Sequence, residues 1–382
     1  MDYRHKLLAD TLAGLEKSGV PLVAVDGSGF KAAGFADDPA IYYFVPKIAR
    51  LFGVSIEAGI DTFFIGILSI SLFVAVVSAV KLCKTKQGRV WAVLNLLLTG
   101  FISFRVGDLY SIAPAVVMFT VLPFLLLYGK GEAKRDFILL AIAGLACGLA
   151  NETRAHAGSG ALIFLVFYLF FSRGVSRSGA ALNTAILLVS FVIPSLFFGH
   201  LAGERDRYLL ENRPGYTSEE TGNTIWHSVY IGLGYLKNPF VAEYRDDVGF
   251  SRANEIKPGV APFTSGYEKI LKGEVIRILS EHPYFAFQNI SAKGGVLLMF
   301  FLLFANVGIA AAWFYGARGD AALPLAAAIV FSALPGILVV PYHEYLLGFF
   351  AFSALFNLLH ADNALSKGGV ADMLKFVGRY KS

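Results

Sequence analysis

Two adjacent carboxylates, Asp37 and Asp38, stand directly before Pro39 in FADDPAIYYFVPKIARLFG. A carboxylate held at a membrane surface under a protein lid can serve as a general base, because partial burial raises its pKa toward the useful range. Carboxylate oxygens so placed also suit a divalent cation. Asp38 before Pro39 equally suits the N-cap of a helix, with proline at the first helical position. Capping accounts for one acid of the pair and does not exclude catalysis. In FRVGDLY, Arg105 and Asp108 lie between two apolar segments. Charges there are costly, so they pair with each other or line a polar cavity.

GLANETRAHAG gathers Glu152, Arg154 and His156 at the end of another apolar segment. The planar guanidinium of an arginine matches phosphate bidentately, although an arginine here can also simply snorkel to an interface. Arg205 and Arg207, with Arg213, form a basic run after a further apolar stretch, which a solvated loop would also explain. In PYHEYLLG, His343 and Glu344 either approach the same cavity or cap the last helix. No P-loop, dinucleotide fingerprint, HExxH, GxSxG or paired CxxC occurs, which disfavours an ATP-driven pump and the common zinc and serine hydrolases.

The elements that must position these groups follow from composition. Of 382 residues, 56% are hydrophobic and 16% charged, and the mean hydropathy is +0.60. Soluble domains carry about 25% charged residues. The balance excludes an ordinary soluble enzyme, a disordered chain and a nucleic-acid-binding module, and it predicts an all-α polytopic membrane protein. About nine transmembrane segments are expected, at 60–82, 90–104, 109–128, 136–152, 158–172, 180–200, 294–315, 321–340 and 344–360. Cys83 and Cys147 lie in or beside apolar stretches and imply no disulfide framework.

Loop charge then orients the chain. Lys81, Lys84, Lys86 and Arg89 share one side with Lys130, Lys134 and Arg135, with Arg173 and Arg177, with Arg318, and with Lys367, Lys375, Arg379 and Lys381. That side reads as cytoplasmic by the positive-inside rule. The mixed clusters fall on the other side. The expected organisation is an extracytoplasmic segment 1–58, a bundle of about six helices over 59–200, an extracytoplasmic capping region 201–293, about three more helices over 294–360 and a cytoplasmic tail 361–382. Residues 1–58 would lie outside with no span before them, so either a first helix precedes this start or the first span carries its own N-tail across. Within that segment, Leu8, Leu12 and Leu15 mark a short amphipathic helix, and VPLVAVDGSGF a short strand and Gly-rich turn. Residues 267–279 have the period of an amphipathic helix ended by Pro283.

FADDPAIYYFVPKIAR resembles the acidic first outer loop and following amphipathic helix of the GT-C superfamily of polytopic glycosyltransferases. GLACGLANETR is similar to their Gly-rich helix ending in a basic residue, and the multi-span plan with a large late outer loop is shared. The resemblance implies a polyprenyl-phosphate-linked sugar donor, a cell-envelope glycan or lipid acceptor, and a bacterial inner membrane with the site facing outward. It makes Asp37 or Asp38 the base that activates the acceptor, Arg154 the contact to donor phosphate and Asp108 a second acidic site residue. The alternative is a carrier or flippase for a lipid-linked or anionic solute; a third reading is a non-catalytic subunit of an envelope-assembly complex.

Overall fold

A computed structural model describes residues 3–33, 38–106, 108–130, 133–171, 176–216, 225–316 and 319–367. Asp37 and the basic residues Arg173, Arg318, Lys375, Arg379 and Lys381 lie outside the described residues. The chain opens with helix α1 (Tyr3–Ser18), an antiparallel hairpin of β1 (Val23–Asp26) and β2 (Gly29–Ala32), and helix α2 (Pro39–Phe52). The long helices then begin: α3 (Ile56–Leu82), α4 (Lys86–Val106), α5 (Ile112–Leu127), α6 (Ala133–Thr153), α7 (Ser159–Phe171) and α8 (Arg177–Asn212). Three shorter helices follow, α9 (Ile225–Gly232), α10 (Asp246–Ile256) and α11 (Ser265–Glu281). The chain returns through α12 (Pro283–Tyr315), α13 (Gly319–Leu338) and α14 (Leu347–Ser366).

Seven helices are long and apolar enough to cross a membrane: α3, α4, α8, α12 and α13, together with α5 and α14, each counted with the helical turn before it. Their outer faces carry large apolar side chains such as Phe73, Phe101, Leu182, Leu196 and Leu303, as lipid contact requires. The chain is therefore an integral membrane protein. The other two expected segments also form helices, but shorter apolar ones. In α6 the apolar stretch between Asp136 and Asn151 is about 21 Å long, and the 13 residues of α7 cover about 20 Å, against a hydrocarbon core of roughly 30 Å. Gly144 and Gly148 press the backbone of α6 onto α8: a Cβ at either position would overlap the carbonyl oxygen of Leu187 or Phe191. Close approach at small residues is how helices associate in lipid.

Helix α8 is 36 residues long, so it runs about 54 Å and projects well beyond the bilayer. The expected boundary at 200 thus falls inside a helix, and so does the boundary at 293, within α12. Hydropathy marks where lipid ends, and backbone hydrogen bonding carries the helix on past it.

Chain direction puts α1, the hairpin, α2, the projecting end of α8 and the helices α9–α11 at one end of the bundle. Here α9–α11 enclose a small core of Tyr230, Ile231, Leu233, Val241, Tyr267, Leu271, Val275 and Ile278. His227 is buried in it, stacked on Phe250, with Nδ1 facing the Tyr267 hydroxyl and Nε2 3.2 Å from Asp246 Oδ1. Glu268 accepts the backbone N–H groups of Trp226 and His227. The His227 hydrogen bond holds the Asp246 carboxyl below the usual carboxylate range. A lowered folded pKa means that this contact stabilises the cap above about pH 4 and is lost as pH falls through the lower value. Acid titration of tryptophan fluorescence is expected to show a cap transition on that limb. Asp246→Asn removes its pH dependence if the carboxylate is the cause.

At the opposite end, buried Asp362 of α14 accepts the N–H groups of Lys84 (3.0 Å) and Thr85 (3.4 Å) just before α4. Asn357 bridges to Asn95 and Asn306 and accepts the Gly308 N–H. Asp362→Ala leaves those donors unpaired and is expected to cost about 1–2 kcal/mol. Thermal unfolding in detergent measures the loss; an unchanged midpoint would count against this tie.

Candidate functional site

Asp38 sits at the N-cap position of α2, before Pro39, yet its side chain makes no capping bond. Its carboxylate is fully buried and lies 3.4 Å from Arg4 Nη2 of α1. The acid therefore faces a cation from another helix and does not cap its own. The hairpin brings the partners together. Lys31 pairs with Asp10 of α1 at 2.9 Å and with Asp26 at 2.6 Å, and Gly14 packs flush against the Val23 backbone. Arg4 therefore arrives over the start of α2 on a helix tied down along its length.

Asp108 caps the helical turn before α5 by accepting the Leu109 N–H at 2.5 Å. It also lines a cavity of about 230 Å³ with Arg4 and His5 at the polar end, and Leu8, Ile41, Val45, Ile60, Phe64 and Leu109 as apolar wall. Burial opposes the charge of Arg4, but Asp38, Tyr42, Asp108 and Tyr110 outweigh it and hold its pKa above the ordinary arginine value. Arg4 Nε is buried without a hydrogen-bond partner among the described residues.

Next to this cavity lies a row of tyrosines. Arg154 donates to the Tyr110 hydroxyl at 3.4 Å and stacks 4.8 Å from that ring. Tyr110 meets Tyr345 edge-on at 5.0 Å, and Tyr345 shares a 2.9 Å hydrogen bond with Tyr244 of the cap. Burial pushes the Tyr244 phenol up to about 12, so it stays protonated at neutral pH. Asp38, in contact with Arg4, and Asp108, which shares its cavity, both act electrostatically on it, and Tyr110 carries Arg154.

Family models, curated proteins and solved structures show no match to this chain.

The other expected residues separate from this group. Arg105 is exposed and forms no ion pair with Asp108 among the described residues; of the two alternatives open to them, pairing does not occur, and Asp108 alone lines a cavity. Helix α4 directs Arg105 to the surface, while the turn after it directs Asp108 inward. Glu152 is half-buried and accepts from Ser195 of α8. His156 is exposed at a positive φ of 67°, in a turn that Asn151 closes by accepting the Gly158 N–H at 2.7 Å. Arg205 pairs with Asp206 and donates to the Ala33 carbonyl at 3.3 Å, fastening the hairpin to α8. Arg207 is exposed. His343 and Glu344 contact each other at 3.2 Å on the last turn, with the His343 side chain 61% exposed. Among the described residues no three metal-ligating side chains converge. Asp38 alone of the proposed cation pair is described, and it faces a guanidinium.

Sequence reasoning overlooked Arg4, Tyr110, Tyr244 and Tyr345. A signal existed for Arg4. It lies four residues before Leu8 and so continues the apolar stripe of α1, an inward position for a charge. Tyr110 and Tyr345 sit inside the motifs FRVGDLY and PYHEYLLG, where the charged residues drew the reading.

Proposed function

We propose that this membrane protein is a glycosyltransferase that moves a sugar from a polyprenyl-phosphate donor to a cell-envelope glycan or lipid acceptor. One observation carries the reading: a buried carboxylate meets Arg4 at the edge of a cavity with a largely apolar lining, and a second arginine, Arg154, stacks on Tyr110 at the same end of the bundle. In the proposed reaction Asp38 takes the proton of the acceptor hydroxyl. The acceptor oxygen attacks the anomeric carbon from the face opposite the phosphate. The carbon–oxygen bond to phosphate breaks, its electron pair leaves with polyprenyl phosphate, and the configuration inverts. Arg154 balances the charge that grows on the leaving phosphate. Tyr110 holds the guanidinium in place by stacking and hydrogen bonding.

The cap end is proposed to face outward, in a bacterial inner membrane. Lys81, Lys84, Lys86, Lys130, Lys134 and Arg135 cluster at the other end and support that direction. With α6 and α7 counted as buried or tilted crossings, the bundle reaches the expected nine helices. Transfer of radiolabelled sugar from polyprenyl phosphate in membrane vesicles tests the function. Arg154→Ala is expected to lower transfer about 10- to 100-fold, the worth of a charged hydrogen bond. Solute or lipid movement across reconstituted vesicles without any sugar transfer would instead establish a carrier.

A further inference from the structure

We infer that Arg4, on the amphipathic helix α1, binds the phosphate of a long-chain phosphate amphiphile and gives up Asp38 to do so. The inference rests on the donor class proposed above and adds a residue and a rearrangement to it. Three observations support it. Arg4 borders both the cavity and Asp38, with its Nη2 on the acid and its Nε buried and unpartnered among the described residues. A guanidinium with an unused N–H is poised to donate to a further oxygen anion. The cavity is lined by Arg4, His5 and Asp108 together with the apolar Leu8, Ile41, Val45, Ile60 and Phe64, so it offers a guanidinium and a hydrocarbon wall in one space, with the Asp108 carboxylate held on the Leu109 N–H. At about 230 Å³ it is smaller than a usual ligand pocket of roughly 300–1,000 Å³, which fits the head and first carbons of a chain whose remainder lies in lipid.

The third observation is the burial of Asp38. Its side chain has no exposure and does not line the cavity, whereas Arg4, which is in contact with it, does. An acid in that state cannot reach a hydroxyl. When a phosphate draws the guanidinium toward the cavity, the cation leaves the carboxylate and Asp38 faces the bound amphiphile. Arg4 is then a binding residue whose side chain alone moves, and α1, tied to the hairpin through Asp10 and Gly14, is a fixed wall. Helix α2 beside it ends in the exposed apolar Leu51 and Phe52, which place this wall at the bilayer surface.

The test uses the full chain in detergent and measures ligand-dependent thermal stabilisation with farnesyl monophosphate, farnesol and inorganic phosphate. Farnesyl monophosphate is expected to stabilise the protein, and both other probes to do so at least 10-fold more weakly. Arg4→Gln should weaken farnesyl monophosphate binding about 10- to 100-fold. Arg4→Lys should keep part of it, and Asp38→Asn should bind at least as tightly as the parent. Lys6→Gln, the same charge change at an exposed position of the same helix, should match the parent. Unchanged binding in Arg4→Gln overturns the inference, as does farnesol or inorganic phosphate binding as well as the amphiphile. Because nothing here depends on sugar transfer, failure of the transferase reading is told apart: Arg4-dependent binding would then persist in a protein that transfers no sugar.

Discussion

Asp38→Asn is expected to lower sugar transfer about 10²–10⁴-fold, the usual worth of a general base. The substitution keeps the shape of the side chain and removes the group that takes the acceptor proton. It also takes away the negative partner of Arg4, 3.4 Å away. Breaking a fully buried pair costs about 3–5 kcal/mol. Arg4 is 29% exposed and Asp108 remains near it, so a loss of about 1–3 kcal/mol is expected here. The folded fraction therefore falls modestly, while activity per folded molecule falls by orders of magnitude. Transfer rates normalised to the monodisperse detergent-solubilised peak separate the two. Transfer at the parental rate would remove Asp38 from the chemistry and throw the role onto Asp37 or elsewhere.

The largest stability effect is expected at the seam of α6 and α8. Gly148→Leu drives a side chain into the Phe191 carbonyl and the Pro194 ring, and Gly144→Leu into Leu187 and Ser190. Overpacking at one well-packed site costs about 1–3 kcal/mol. These contacts are against backbone, which cannot turn aside, so each falls at the upper end. The double variant approaches the whole net stability of a domain, about 5–15 kcal/mol, and is expected to give little folded protein. Gly199→Ala on the same α8 meets nothing within 4 Å and is expected to be neutral or mildly stabilising. Thermal unfolding in one detergent compares them. A double variant as stable as the parent would show that α6 does not lie along α8 at that distance.

Much of this architecture was legible because lipid imposes a simple rule. Long apolar runs became helices, and seven of the expected segments are long and apolar enough to span. VPLVAVDGSGF folded as the strand and turn its residues favour, and the period over Tyr267–Leu279 became α11. The pairings of the mixed charge clusters were not legible. The partners Arg4 and Asp38 are 34 residues apart, and Arg154 and Tyr110 are 44 apart. The local pattern of Arg105 and Asp108 allowed either a pair or a polar cavity, and only Asp108 lines one while Arg105 is exposed. For Asp38 the sequence allowed a cap, but its partner Arg4 comes on α1 from outside the motif and no cap bond forms.

Helix α8 sets a height. Its projecting end carries Arg205, which grips the hairpin at the Ala33 carbonyl, and Tyr208, whose ring meets Phe30 edge-on at 5.3 Å. The hairpin in turn holds α1 and Arg4. A continuous helix advances about 1.5 Å and turns about 100° per residue. One residue inserted near Gly203 would lift Arg205 only slightly but swing it to another side of the rod, off the hairpin. The distance of Arg4 from the bilayer is thus written in the residue count of a helix that never touches it.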